Sequence, residues 1–558
     1  MRNKFRALLL LPFVAISCSR GIDEQAIESP NAPVVLISID TLRSDRLPIY
    51  GYDRVETPAI DALAADSVVF DRAYSHYPLT LPSHVSVLTG LLPDRHGVRD
   101  NLGYPFDSNR FPYLPTILKQ QGYATGAAVS AYVLRSETGI GTDFDFFDGD
   151  IFFREWVPGG ALSRRGPETL EAALPWLRSV ADQPFFLFFH IYEPHTPHEA
   201  PEPFASKFQL PYDAEVAAAD AVVGDLLSEL QDLGLYDSSL VILMSDHGEG
   251  LGDHGEAEHG VLLYREAIQV PLMVKLPGER RSGTRIDTPA QLADIAPTIL
   301  DVLGLEANDD LAGVSRLELD ADDQERPIYS ESFYGRIHFG WSDLQSIVSG
   351  THHYIHGSVP RMFDVVDDPA ERHDILRDER PTFAKLRDEV MRYQLELTPP
   401  EEVDEETKLK LAALGYLDTN FGDTPKGPLP DPESRLTTLV DLWAAFDLRK
   451  EGKAEEALAA AERALAANPE MADAWQVKGS SLEDLGRFEE ALEAYREALI
   501  RAGSRPRSDI VLAAARVQLE LGQIDEALEG IDYAADVGVI NPIALRQIGL
   551  QLAEVGRV

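Results

Sequence analysis

From Val34 onward the chain alternates short, continuously apolar runs with segments whose apolar residues recur at helical spacing. Val34-Val-Leu-Ile-Ser-Ile39, Phe185-Phe-Leu-Phe-Phe-His-Ile191, Leu240-Val-Ile-Leu-Met244 and Pro271-Leu-Met-Val274 read as strands. Runs with no polar alternation are expected when helices cover both faces of a sheet. Helices fit Ile60 to Ala65, Val85 to Leu88, Thr169 to Val180 and Asp213 to Gln231. This alternation predicts an α/β domain, a mostly parallel sheet sandwiched by helices. Shorter runs at Leu344–Val348, His353–Ile355 and Met362–Val365 predict a small antiparallel subdomain that closes the unit. After about Pro399 the pattern breaks. The chain turns acidic and then loop-like, through Asp423-Thr-Pro-Lys-Gly-Pro-Leu-Pro-Asp-Pro432, which reads as a linker.

Beyond the linker the pattern repeats. Gly452, Gly486, Gly522 and Gly556 are spaced by 34, 36 and 34 residues. The first three are each followed by a near-copy: Lys453-Ala-Glu-Glu-Ala-Leu458, Arg487-Phe-Glu-Glu-Ala-Leu492 and Gln523-Ile-Asp-Glu-Ala-Leu528. Pro469 and Pro506 fall near the ends of the first two units. A period of this length, with Gly at the turn and small Ala on the second helix, resembles tetratricopeptide repeats. The predicted boundaries are therefore 33–400 for the α/β domain, 401–432 for the linker and 433–558 for an all-α array. That array is expected to be separable from the first domain.

Composition narrows the class. A chain of 558 residues exceeds what one hydrophobic core supports. Ninety-three acidic against fifty basic residues, a formal charge of −43, exclude a general nucleic-acid binder, which needs positive surface to displace counterions. A small anionic substrate stays compatible, because a bound cation reverses the field locally. The single cysteine excludes an internal disulfide and any thiolate zinc cluster.

That cysteine sits at a telling place. Met1-Arg-Asn-Lys-Phe-Arg6, an apolar run from Ala7 to Ile16 and then Ser17-Cys18 have the parts of an export signal. The run is too short to span a bilayer. Ala15-Ile16-Ser17-Cys18 resembles a lipobox, with Ala15 where Leu is usual. Residues 1–18 thus read as a lipoprotein signal with Cys18 as the acylated residue, and 19–32 as a polar tether. Ser19 after the cysteine leans, by the same resemblance, toward the outer membrane of a Gram-negative envelope.

In open α/β sheets, sites form beyond the carboxyl ends of the strands. Asp40-Thr-Leu-Arg-Ser-Asp45 follows the first strand, Tyr192-Glu-Pro-His-Thr-Pro-His198 the Phe-rich one, and Ser245-Asp-His-Gly-Glu249 with His254 and His259 the third. A lone Asp or His there is usually a cap or a turn residue. Three such clusters on one rim would repel unless a divalent metal neutralised them. A fourth piece, Thr80-Leu-Pro-Ser-His84, precedes a helix predicted to begin near Ser83. It places the Thr80 hydroxyl at a helix N-terminus, where an anion is favoured.

The order Val34–Asp40, Thr57-Pro-Ala-Ile-Asp61, Thr80-Leu-Pro-Ser-His84, Thr89-Gly90, His195, Asp246-His-Gly-Glu249 and His254-Gly255 resembles the sulfatase branch of the alkaline phosphatase superfamily. The match continues through Tyr264-Arg-Glu266, Val270-Pro-Leu272, Asp294-Ile-Ala-Pro-Thr298 and Asp367-Asp-Pro369. The resemblance implies an alkaline-phosphatase-like fold and a metal-dependent ester hydrolase. It also marks departures. Sulfatases carry Cys or Ser in a C/S-x-P-S-R motif and convert it to formylglycine; here Thr80 and His84 stand at the nucleophile and Arg positions. Unmodified Thr is, by resemblance, the nucleophile of phosphodiesterase and phosphoethanolamine-transferase relatives. Thr41 replaces a usual second Asp, and His259 stands where Lys is common.

The resemblance thus implies Asp40, Asp246 and His247 as ligands of a divalent cation (Ca²⁺, Zn²⁺ or Mn²⁺), with a second ion conceivable near Glu193, His195 and His198. It implies Thr80 as nucleophile, with His84, His195 and His259 contacting the non-bridging oxygens or protonating the leaving group. The expected substrate is a small anionic sulfate or phosphate ester, sugar- or lipid-linked, and the expected array ligand a peptide or protein. The alternative is a non-catalytic, lipid-anchored scaffold that displays the repeats to a partner.

Overall fold

The protein is described from a computed structural model that covers residues 28–149, 151, 163–308, 310–317, 326–393, 397–398, 400–401, 428–502, 508–536 and 549. Cys18, most of the expected linker and Gly556 lie outside the described residues.

A nine-stranded sheet forms the centre. Its strands are β1 (Val34–Ile39), β2 (Val68–Tyr74), β3 (Ala124–Ala128), β4 (Phe146–Asp148), β5 (Phe185–Ile191), β6 (Leu240–Met244), β7 (Gln269–Lys275), β8 (Thr284–Ile286) and β9 (Ala290–Gln291). They run in the order β4-β3-β5-β1-β6-β7-β2-β8, with β9 beside β2. The sheet is mostly parallel, as the apolar runs predict. The exception is β7, which pairs antiparallel with both β6 and β2. A second, antiparallel sheet joins β10 (Ile328–Ser332), β11 (Leu344–Ser349), β12 (His352–His356) and β13 (Arg361–Asp364) in sequence order.

Side chains of one strand point alternately to two faces, and helices cover both. Val34 and Leu36 join one core with Phe186, Phe188 and the helix α2 (Thr80–Thr89). Val35, Ile37 and Ile39 join the other, with Phe185, Leu187, α1 (Pro58–Ala65) and the helices Gly166–Ser179 and Pro211–Asp232. The same alternation sends Ser38 of β1 and His190 of β5 toward α2, and these two residues are direct cross-strand partners. Helix α2 starts at Thr80 rather than near Ser83, and ends on Gly90, which donates its N–H to Ser86 O and turns the chain away with a left-handed φ of 69°.

The array comprises helices Leu436–Lys450, Ala454–Ala467, Ala472–Asp484, Phe488–Ala502, Ser508–Glu520 and Ile524–Asp536. It packs directly against the α/β domain. Leu436, Leu439, Leu442 and Ala445 of the first helix share one buried cluster with Leu79, Val261, Leu263, Tyr264 and Trp341 of the α/β domain. Polar contacts frame that cluster: Ser342 N donates to Pro430 O at 2.8 Å, and Arg361 pairs with Asp431 and Glu433 at 3.0 and 2.8 Å. Among the described residues no helix is long and apolar enough to cross a membrane. If a specific protease site is inserted after Asp423 and cut, the two pieces should co-elute in size-exclusion chromatography. Separate elution under native conditions would show that the shared cluster does not hold them.

Candidate active site

The site is built where β1 and β6, parallel neighbours, end together. Ser38 pairs with Met244, and two residues further along each chain stand Asp40 and Asp246. Both carboxylates are fully buried. Neither Asp40 oxygen nor Asp246 Oδ2 has a hydrogen-bond partner. Asp246 Oδ1 accepts from the backbone N–H of Thr41, at 3.3 Å, and of His247, at 3.0 Å. Thr41 itself adopts φ 55°, a left-handed conformation costing a β-branched residue roughly 1–3 kcal/mol. Tyr212 Oη braces the turn by donating to Thr41 O at 2.8 Å, while Arg43 N donates to the same phenol at 3.0 Å. On the other side Ser83 Oγ donates to Asp246 O at 2.7 Å and ties α2 to β6. Gly248 follows His247 because a Cβ there would collide with the Glu266 carbonyl.

The imidazoles divide by which nitrogen carries the proton. His247 Nδ1–H donates to Gly248 O at 3.0 Å, which leaves Nε2 with its lone pair. That atom lies 3.4 Å from Asp246 Oδ2, 3.7 Å from Asp40 Oδ1 and 3.5 Å from Thr80 Oγ1. Asp40, Asp246 and His247 therefore converge with their free lone pairs, and Thr80 completes the cluster. Orphaned carboxylate oxygens facing a free imidazole nitrogen are the donor set of a divalent cation, and one fits here.

His84 and His190 lie beneath this cluster, on the α2 face, with ring centroids 5.2 Å apart. His84 was expected to contact the non-bridging oxygens or protonate the leaving group. Its Nδ1–H donates to Thr80 O at 2.7 Å, one turn back in the helix, and Nε2 accepts from Ser38 Oγ at 2.8 Å. Both nitrogens thus have partners within the protein. His190 was not singled out by the sequence reading. Its Nδ1 accepts from Ser130 N at 3.4 Å, so Nε2 carries the hydrogen and faces Asp40 Oδ2 at 3.3 Å. No hydrogen bond joins the two, and His190 forms with His84 and Asp246 a second group whose ligand atoms lie within 4.8 Å of one another. The signal was present: Ser38 and His190 are each the one polar residue, next to last, in an otherwise apolar strand.

His195 and His259 stand on the open side of the rim. His259 lies against His247, ring centroids 4.5 Å apart, and against His195 at 4.9 Å. His195 Nδ1–H donates to Thr196 O at 2.6 Å, and Nε2 is buried with no partner. His259 Nδ1 bonds Glu249 Oε1 at 3.0 Å, which leaves its Nε2 toward the site. Glu193, considered for a second ion, turns away: its carboxylate accepts Gly166 N at the start of a helix and lies 3.6 Å from Arg165. Asn101 was also missed. Its Oδ1 accepts Leu81 N at 2.8 Å, which fixes the amide orientation and leaves a buried, unpartnered Nδ2 beside the residue that follows Thr80. Nothing in the local sequence marks it, since the contact spans twenty residues.

Burial dominates the electrostatics. It raises Asp40 to about 7, with Glu249 adding to the rise, and Asp246 to about 7, with the Asp40 charge adding. It lowers His84 and His190 to about 4 and His247 to about 3. Glu249 rises to about 8, also through burial.

Model comparisons agree with this architecture. A family model described as Sulfatase matches residues 32–305, and one described as N-sulphoglucosamine sulphohydrolase, C-terminal, matches 252–397. Together the two matches span residues 32–397, which are similar to the sulfatase family. Residues 444–506 match a tetratricopeptide repeat model. The chain is similar to an ulvan-active sulfatase of Formosa agariphila, 26% identical, covering 73% of this chain and 86% of that protein. An N-acetylglucosamine-6-O-sulfatase of Bacteroides thetaiotaomicron is 22% identical, covering 69% and 89%. A phosphonate monoester hydrolase from Silicibacter pomeroyi shares the fold at a TM-score of 0.54 and 20% identity, covering 66% of this chain and 96% of that one.

Stability should report the carboxylate pair. A carboxyl whose pKa is raised on folding keeps its proton in the folded state, so its contribution is full below the unfolded pKa and is lost as pH rises through the folded one. Histidines lowered on folding act oppositely, but only below about 6.5. Above pH 6.5 the raised carboxylates act together with His254, which despite burial is raised by its hydrogen bond to Glu266, so the metal-free protein should lose melting temperature as pH rises from 6.5 to 8. Saturation with Zn²⁺ or Mn²⁺ at pH 8 should restore it, by about 2.7 kcal/mol at a hundredfold excess over Kd. Asp246→Asn should weaken cation binding at least a hundredfold in calorimetric titration while raising the metal-free melting temperature at pH 8. A variant that is both metal-free and less stable would contradict the repulsion argument.

Proposed function

We propose that the protein is a metal-dependent hydrolase, or group transferase, of phosphoric or sulfuric esters, with Thr80 as nucleophile. The observation that carries this reading is the position of Thr80 Oγ1, 3.5 Å from the lone pair of His247 Nε2 and beside two buried carboxylates without partners. A residue that merely capped α2 would need none of these neighbours. The sulfatase relatives and the phosphonate monoester hydrolase fold support the ester class. The Thr side chain favours phosphorus over sulfur, because displacement at phosphorus needs no aldehyde hydrate.

Asp40, Asp246 and His247 would hold the cation. Its mixed carboxylate and imidazole donors suit Zn²⁺ or Mn²⁺ better than Ca²⁺, which prefers oxygen alone. When bound, the cation supplies Lewis acidity that lowers the pKa of a hydroxyl beside it. Every other part belongs to the chain. Thr80 Oγ1 forms the new bond to phosphorus or sulfur, its proton passing to solvent, as the bond to the leaving oxygen breaks in line. Asn101 Nδ2 donates to a non-bridging oxygen. His195 and His259 face the site, and one of them takes up a single proton, from a monoanionic phosphate ester or, for a sulfate ester, from solvent. As an imidazolium ion it binds a non-bridging oxygen and then gives that proton to the leaving oxygen, while the other stays neutral. Water, or an acceptor alcohol in the transferase case, releases Thr80 by attack along the same line. The clustered carboxylates argue against the scaffold alternative, which gives no reason to keep them buried together at a cost of several kcal/mol or more per ion.

The reading extends to the cell. Lipidation of Cys18 would anchor the hydrolase to the cell envelope, at the outer membrane, and the repeats would hold a peptide or protein near a sugar- or lipid-linked ester. Cys18→Ser should move the protein from membrane to soluble fractions with unchanged hydrolysis. Thr80 is tested on matched panels of phosphate and sulfate esters. Thr80→Ala should lower kcat by several powers of ten while cation affinity persists, and Thr80→Ser should keep substantial activity. Near-wild-type turnover in Thr80→Ala, with only about 1 kcal/mol of lost stability, would reduce Thr80 to a helix cap.

A further inference from the structure

The loop from Asp253 to Tyr264 runs between two places that the sequence keeps far apart. One end faces the catalytic rim, where His259 meets Glu249, His247 and His195. The other faces the first helix of the repeat array. The Cβ position of Gly255 lies 3.5 Å from Leu436 Cδ1. Tyr264 Oη donates to Glu433 at 2.8 Å, and its ring stacks on His254 at 3.6 Å between centroids. Glu258, the neighbour of His259, stands in the field of Asp447 and Lys450 of that helix. Gly260, on the other side of His259, packs its Cβ position 3.2 Å from Leu79 Cδ2, and Leu79 is the residue before Thr80.

Leu79, Val261–Tyr264, Leu436, Leu439 and Leu442 are members of one buried cluster. Within the loop the Glu256 carboxylate accepts both Val261 N and Leu262 N, at 2.8 and 3.0 Å, and stiffens the segment after His259. A stiff segment clamped at one end transmits its placement to the other. In this fold the clamp is the array.

We propose that the first array helix, Leu436–Lys450, is a wall of the active site, and that Leu436, Glu433 and Tyr264 are positioning residues that hold His259 over Thr80. The proposal rests on the reading that His259 touches substrate, but the docking beneath it does not. The metal ligands stand at the ends of β1 and β6, outside the loop, so the array should govern substrate placement rather than cation binding. Removing array contacts should therefore raise KM far more than it changes cation affinity.

The full-length, cation-loaded protein tests this with Leu436→Ala and, as a milder change that leaves the buried cluster intact, Tyr264→Phe. Hydrogen exchange read by mass spectrometry should accelerate at least tenfold over residues 255–263 in Leu436→Ala and severalfold in Tyr264→Phe. KM for the best ester of the panel should rise at least fivefold in Leu436→Ala, with cation Kd within twofold of wild type, and Leu436→Met should return both readouts toward wild type. Wild-type exchange across the loop in both variants would overturn the clamp. Faster exchange with an unchanged KM would overturn the positioning of His259. If the unmodified protein turns over no ester, faster exchange still upholds the docking, and the failure then belongs to the proposed function.

Discussion

Two like charges placed side by side in a dry interior set the terms for everything around them. Asp40 and Asp246 come together because β1 and β6 are parallel neighbours in register, so equal counts beyond the Ser38–Met244 pair bring both carboxylates out at the same height. Their repulsion and lost hydration would cost several kcal/mol or more per ion without a counter-charge. The surrounding structure answers that cost locally. The Thr41 N–H, in a strained left-handed turn, reaches Asp246, the His190 ring lies 3.3 Å from Asp40, and Ser83 pins the helix that begins at Thr80 to the same strand end. Each device orients lone pairs inward and leaves the centre for a cation.

Much of this was legible before any coordinates. The apolar runs at Val34, Phe185 and Leu240 match β1, β5 and β6 residue for residue, because a strand buried on both faces has no polar alternation to blur its limits. The strands β2, β3 and β10 went unread. Val68–Tyr74 carries Asp71 and Arg72 in its middle, Ala124–Ala128 is Ala- and Gly-rich, and Ile328–Ser332 holds a buried glutamate, Glu331, paired with Arg99. The antiparallel course of β7 was equally hidden, since an apolar run does not state its direction.

The site was readable where a residue follows a strand and unreadable where its meaning lies in a partner. Asp40, Asp246, His247 and Thr80 announce themselves by position. His84 stands in a telling motif, yet its role turns on Ser38 and the Thr80 carbonyl, contacts that only the packed sheet supplies. Asn101 acquires its character from one backbone N–H at the start of α2, twenty residues away. Hydrogen bonds settle the tautomers as well, and with them the division between imidazoles that offer a lone pair and those that offer a proton.

The way the array is stacked has a consequence for how such a chain can change over generations. Among the described residues only its first helices enter the cluster shared with the hydrolase, while the clusters around Tyr495 and Leu512 contain array residues alone. In a stack where each unit leans on its neighbour, the distal units are spectators of the docking surface. Repeats can therefore be gained, lost or exchanged at the far end by recombination, which retargets the protein to a new partner while the chemistry at the rim stays under the same structural guard.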